Sequence, residues 1–578
     1  MKRQNGIKLI VFIVLLLSVS SVVFAEPVHT TLLAAQEFND TLTGHTADLY
    51  LEVQPGRSRV FLETFPLTKI DTQISTRFAK EIACHYFDLS CDASDFIYTI
   101  QSDSFIIGGP SAGAALAAVT AAAVIDAEIN QSVAVTGTIN SGGLIGPVGG
   151  LKAKIDAASK AKLKKVLIPI GMRLYNQSRN REGKETIDLV EYGSFLGIEV
   201  IEVSNLNEVM FHFTGRTIDD GNGEFSLPPQ YVELMKNVSE QLCTRTEELK
   251  AQLNKFQLNK TQRDDVQNRT LRAEQASQEH AYYSAASYCF GLNVQLKNQL
   301  YEKITLTPQK AKAKVQQLEQ VMEKFRQQVD EQELKTITDI QTLAVVRERL
   351  HDAQRALEEF KEDSTNVFRL AFAEERFFSA QSWSTFFSME GHEYELNDAV
   401  LQRSCTEKIQ EAREREQYID LFFPSNIGNQ IDRADEQRTA GEYELCLMIA
   451  SQAKADANAI VGSIGIEQSE LPRLIESKLD AIESLIARTA ESQAFPLLGF
   501  SYYEYAQSLK EYDEGSALLY AEYALEMSNL DIYFEDKQPQ KFTLNVNYMP
   551  FALGFVGGVV LMVFVMLLTR DKKKKRRV

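Results

Sequence analysis

The apolar periodicity of this chain changes once, and that change limits its fold more than any other feature. Over residues 29–213, short runs of period two alternate with segments that are apolar every third or fourth position; over 230–540 the period-two runs almost disappear. Strand side chains alternate between two faces and helical ones repeat every 3.6 residues, so the first part predicts an α/β (α+β) domain and the second an all-α region. Residues 47–53 and 59–63 alternate on either side of Pro55-Gly56 and predict a hairpin. Residues 72–86, 111–125 and 151–161 predict helices, and 96–100, 133–139 and 166–169 predict strands, with a further helix and strand ending near Val203. Residues 215–229, with Asp219, Asp220, Gly221, Gly223, Pro228 and Pro229, read as a linker. Thr307 and Pro308 supply a cap and a first-turn proline for a helix, and 308–362 breaks near 330–333, which predicts two long helices packed as a hairpin. The later segments, rich in Ala and Tyr, suit a helical bundle or coiled coil, or tetratricopeptide-like pairs, although no strict repeat of about 34 residues is present. Charge runs in this half read as solvated faces.

The ends carry a different signal. Residues 9–17 are unbroken apolar sequence after Lys2, Arg3 and Lys8, and small residues lead to Ala25, a pattern that predicts a signal peptide over 1–25 or an uncleaved signal anchor. Residues 549–569 are 21 positions without a charge, followed by a basic tail over 570–578. That length matches a membrane-spanning helix and the tail a cytoplasmic stop. The expectation is a single-pass protein of the cell membrane with 26–548 extracytoplasmic. The formal net charge is -18, which excludes general nucleic-acid binding, because phosphate neutralisation needs clustered Lys and Arg. Six cysteines allow 15 pairings. Neighbour pairing (84–91, 243–289, 405–446) is the simplest; six buried thiols remain the other reading. Seven scattered histidines argue against a metal site, and no cofactor is expected.

The chemistry concentrates in two Gly-rich segments. In Gly108-Gly109-Pro110-Ser111-Ala112-Gly113 a strand leads in and an Ala-rich helix leads out, which sets Ser111 at a helix N-terminus with unpaired N–H groups beside it. Such a serine is either a nucleophile with an oxyanion site or an ordinary helix cap. Downstream lie Thr136-Gly137 and then Gly149-Gly150-Leu151-Lys152-Ala153-Lys154. Two lysines two apart on a helix point about 200° apart, so one can face inward while the other meets solvent.

With these elements in this order, the chain resembles the Lon-type serine proteases, peptidase family S16, over roughly 45–213. Ser111 in PSAG matches the family nucleophile and Lys154 in GGLKAK its catalytic lysine, 43 positions on. Thr136 matches the residue that orients the lysine, and the backbone of Gly109, Pro110, Ala112 and Gly113 the oxyanion turn. Lys152 is assigned to the surface. Gly108 and Thr138 stand where many family members have an acid. No GxxxxGK[ST] motif occurs in the 578 residues. The resemblance is to the membrane-anchored, ATPase-free archaeal members. It implies a Lon-like domain over 26–214, a helical region over 230–545, polypeptide substrates, no ATP, and assembly into a ring of identical subunits. The implied activity is ATP-independent, membrane-tethered endopeptidase cleavage by a Ser–Lys dyad. A catalytically inactive Lon-fold scaffold, whose helical ectodomain binds partner proteins at the cell surface, is the alternative.

Overall fold

The structure, a computed structural model, describes residues 27–38, 41–65, 67–102, 109–179, 183–218, 226–256, 259–304, 306–420, 424–463, 466–491 and 493–535, with Gly558 and Met562. Strands β1 (Val28–Phe38), β2 (Thr41–Pro55), β3 (Val60–Phe65) and β4 (Ser94–Gln101) form one sheet in the order β1-β2-β4-β3. β2 runs antiparallel to β1 and β4, and β3 lies parallel to β4. The hairpin predicted around Pro55-Gly56 therefore does not form, because β4 sits between its two strands. Phe96, Tyr98 and Ile100 of β4 are fully buried, whereas β3 alternates half-buried and exposed positions. The strand with more to bury takes the inner place and the amphipathic one the edge.

Strands β5 (Val133–Val135), β6 (Thr138–Ile139), β7 (Ile145–Gly146), β8 (Lys165–Pro169), β9 (Leu174–Arg179), β10 (Gly183–Asp188) and β11 (Glu199–Val203) complete the β structure. β11, β8 and β5 make a parallel sheet, and β6–β7 and β9–β10 are antiparallel pairs. The single strand read over 133–139 breaks at Thr136-Gly137, where the chain leaves one sheet for the small β6–β7 pair. Helix α1 (Ile70–Tyr86) packs on α2 (Gly113–Val124), whose first ten residues are all buried, Gly, Ala and Thr included. Small side chains let this central helix approach its neighbours closely. Helix α3 (Leu151–Lys160) lies against β2 and β1.

From Pro229 to Ser528 the described residues form twelve α-helices and no strand beyond isolated bridges. Thr307 caps the helix Pro308–Asp330, its hydroxyl accepting from Lys310 N–H, and Ile337–Glu362 follows after the break. The three disulfides join neighbours: Cys84–Cys91, Cys243–Cys289 and Cys405–Cys446.

The signal segment 1–25 lies outside the described residues. The membrane-spanning helix over 549–569, and with it the single-pass membrane location, is corrected: among the described residues no helix is long and apolar enough to cross a membrane. Long helices such as Ile337–Glu362 carry charges throughout and bury their apolar stripe against other helices instead of presenting it to lipid. Of 549–569 itself only Gly558 and Met562 are described.

Candidate active site

The nucleophile candidate lies on a sharp turn. Gly109 has φ +103°, a conformation other residues rarely adopt, and opens the 3-10 turn Pro110–Ala112 that runs into α2. Ser111 is half-buried there. The turn also sorts the expected oxyanion donors. Pro110 has no N–H, and Gly113 N–H donates to Pro110 O, so neither offers a donor. Of the expected donors that leaves Gly109 and Ala112, and the turn adds the N–H of Ser111; Ser111 and Ala112 lie in the first turn, where intrahelical partners are lacking. Gly113 serves a different need: a Cβ at this position would come 2.8 Å from Ile139 N, so only glycine lets β6 pass this close to the helix.

Segment 136–140 ties the parts together. Gly137 N–H donates to Ser111 O and Gly137 O accepts from Ala114 N–H, both at 3.0 Å. One residue before, Thr136 is fully buried, and its hydroxyl accepts from Lys154 Nζ at 3.0 Å. Lys154 is 3% exposed. Burial disfavours its ammonium and brings its pKa down from 10.5 to about 7. The structure thus joins Lys154 to Thr136 directly and links both to Ser111 through the backbone of Gly137. Lys152 points the other way, part-exposed, to Tyr192 and Asp156. Its bond to the Tyr192 hydroxyl raises its pKa. The two lysines of one helix are therefore opposite in kind, one a cation on the surface and the other a candidate neutral base.

The helical region covers the rim of this site, which the sequence reading did not find. Arg415 Nη2 donates to Ile139 O and to Asn140 Oδ1, both at 2.9 Å. Gly149 N–H donates to the Tyr418 hydroxyl at 2.8 Å, and Ser141 Oγ donates to Glu526 at 3.0 Å. A narrow cleft is walled by Ile74, Phe78, Pro110 and Ile139 on one side and by Glu414 and Arg415 on the other. Glu411 and Lys454 also line it, and there Lys408 and Lys454 share Glu411 and Glu526 at 2.7–3.2 Å, all four buried. Reading these charges as a solvated face was wrong. Lys408, Glu411, Arg415 and Tyr418 recur every three or four residues, which sets them on one face of the helix Asp398–Ile419, and that face meets the α/β domain. The spacing was visible in the sequence; the buried partner surface was not. Among the described residues no cluster of His, Cys, Asp and Glu is suited to a metal ion.

Residues 103–210 match the Lon protease (S16) C-terminal proteolytic domain. The chain is 35% identical over 130 residues to the archaeal Lon protease of Archaeoglobus fulgidus, covering 22% of this chain and 18% of that one. It is 38% identical over 104 residues to the Lon protease of Lachnoclostridium phytofermentans, 18% of this chain and 12% of that one. It is equally similar over 104 residues to Lon protease 2 of Bacillus subtilis, 18% and 16% of the two chains. The matched segment thus spans less than a fifth of each of these relatives.

Proposed function

Since residues 103–210 belong to the Lon (S16) family of proteolytic domains, we propose that this chain is a serine endopeptidase that works through a Ser111–Lys154 dyad and without ATP. The observation that carries the reading is Lys154: a buried lysine near neutral pKa, held by Thr136 and linked through Gly137 to the Ser111 turn. A lysine serves as general base only when its amine is neutral at working pH, and burial supplies that condition.

In the proposed reaction the Lys154 amine takes the Ser111 proton as Oγ attacks the peptide carbonyl carbon. The negative charge that develops on the carbonyl oxygen meets the N–H groups of Ser111 and Ala112. The ammonium then gives its proton to the leaving amine as the C–N bond breaks, which leaves an acyl ester on Ser111. A water attacks this ester as its proton passes to Lys154; the C–O bond to Ser111 then breaks, Lys154 returns the proton to Oγ, and the acid product departs. Thr136 holds the amine in line throughout. ATP independence rests on the absence of a GxxxxGK[ST] loop from the 578 residues.

The test is cleavage of casein or a fluorogenic peptide by the purified chain with nucleotide removed, beside Ser111→Ala and Lys154→Ala. Turnover that needs no ATP and is lost in both variants, each still folded by thermal melt, is the expected result. Turnover that survives Ser111→Ala sinks the dyad, and a wild type that cuts nothing leaves the scaffold reading.

A further inference from the structure

We propose that Arg415, supplied by the helical region, is a positioning residue of the proteolytic site: it fixes segment 138–140, which holds the Ser111 turn and the Thr136–Lys154 pair in one frame. The inference rests on the dyad reading above and adds a part of the chain that lies outside the Lon-like segment.

Five consecutive residues carry three attachments. Thr136 accepts from Lys154, Gly137 exchanges backbone bonds with the Ser111 turn and α2, and Ile139 and Asn140 accept from Arg415. The first two attachments hold the candidate catalytic groups, and the third comes from the helical region. Ile139 of β6 is pressed against Gly113 with no room for a Cβ. From the helical region the guanidinium meets Ile139 as well, at its carbonyl oxygen. Arg415 is 3% exposed, and Glu414 Oε2 lies 3.6 Å from its Nε. Glu414 in turn accepts from Ser75 of α1, so the acid beside the guanidinium is itself tied to the protease side. A planar guanidinium can serve a carbonyl and an amide oxygen at once, and a lysine at this position would offer a point charge without the fork. One turn along, Tyr418 accepts from Gly149 N–H, two residues ahead of α3. The same helix face therefore grips both ends of segment 139–149, which leads from the Thr136-Gly137 break to the lysine helix.

A residue that only docks two regions changes how much protein is folded and leaves the turnover of folded molecules alone. Arg415 predicts a different pattern. Without it, segment 136–140 loses its outer support, and the Thr136 hydroxyl and the Ser111 backbone shift together. A displacement of about 1 Å at this distance from the chemistry lowers rate by about 10²-fold. Arg415 touches no reacting atom, so the loss falls on kcat and leaves KM little changed.

The experiment compares the full chain with Arg415→Ala and Arg415→Lys, measuring kcat and KM on a fluorogenic peptide and the melting temperature of each. The expected result for Arg415→Ala is kcat lower by about 10²-fold with KM nearly constant, part of which returns on adding millimolar guanidinium. The same additive leaves the wild type unchanged. Arg415→Lys falls between the two and does not respond. A kcat at the wild-type level in folded Arg415→Ala overturns the proposal, as does a fall that guanidinium leaves untouched. Where Arg415→Ala does not fold, Arg415→Lys decides: wild-type kcat in that variant overturns it. Ser111→Ala in parallel keeps the two ideas apart, since cleavage that persists there fails the dyad itself, whatever Arg415 does.

Discussion

The pH dependence of cleavage tests the site most directly. Burial holds Lys154 at about 7 against an ordinary 10.5. Only the neutral amine accepts the Ser111 proton, so kcat/KM follows its fraction in the free protein. That fraction is about one half at pH 7, about 9% at pH 6 and about 1% at pH 5. The profile therefore climbs about tenfold per pH unit from pH 5, bends near pH 7 and is level by about pH 8. A lysine left at its ordinary value would be neutral in only about 0.03% of molecules at pH 7, and the climb would continue at the same slope past pH 9. The assay is the initial rate on a fluorogenic peptide well below KM, at constant ionic strength, with the fold checked at each pH. A unit slope that persists to pH 9 refutes the argument that burial tunes this base. So does a profile that is flat from pH 5.

Three further outcomes follow from the structure. Thr136→Val keeps the shape of the side chain but removes the oxygen that accepts from Lys154; this bond favours the ammonium more than the amine, so the bend in the pH profile moves to lower pH while the plateau falls by about 10²-fold. Lys154→Met raises stability: the folded state binds fewer protons than the unfolded one between about pH 7 and 10.5, so wild-type stability rises with pH across that window, and at or below pH 7 the buried lysine costs about 5 kcal/mol. The Met variant thus melts higher than wild type at pH 6–7, less about 1 kcal/mol for the lost hydrogen bond, and calorimetry at pH 10 finds the gap mostly closed. Replacing both Cys243 and Cys289 by Ser opens a loop of 46 residues, which lowers stability by about 4 kcal/mol; a melting temperature that does not move contradicts this.

How much of this was legible in the sequence depends on where each signal was stored. Ser111, Thr136 and Lys154 stand out in the sequence as candidates because glycines and small residues mark the turns around them at fixed spacing. The opposite facing of Lys152 and Lys154 followed from helix geometry alone, and the structure places them so. Strand partners were less accessible. The period-two pattern of 59–63 reports that β3 is amphipathic but not that β4 comes between it and β2. The contacts of Arg415, Tyr418 and Glu526 were hardest to foresee, because an acid–base stripe on a polar helix looks the same whether it faces water or another domain. The difference lies in the partner, and the partner residues Ile139, Ser141 and Gly149 are about 270 or more positions away in sequence.

Behind that interface a charge cluster joins three helices of the helical region. Lys408, Lys454, Glu411 and Glu526 balance in charge and are buried together. Burial raises the Glu526 pKa, but the two lysines outweigh it and hold the carboxyl below its ordinary value. Taking four charges out of water offsets most of what their attraction returns, so the quartet adds little net stability. Its effect is on alternatives. Sliding the helix Asp398–Ile419 by one turn against the helices that carry Lys454 and Glu526 would leave buried charges without partners, at about 3–5 kcal/mol for each broken pair. An apolar interface of the same area would tolerate that slide far better, because apolar contacts are not directional. Ser141 of the 139–149 loop bonds to Glu526 of the quartet, so the register that the charges select is handed to the segment lying between Ser111 and Lys154. If Arg415 holds segment 138–140, its helix must keep one place, and a slide that strands buried charges opposes any other.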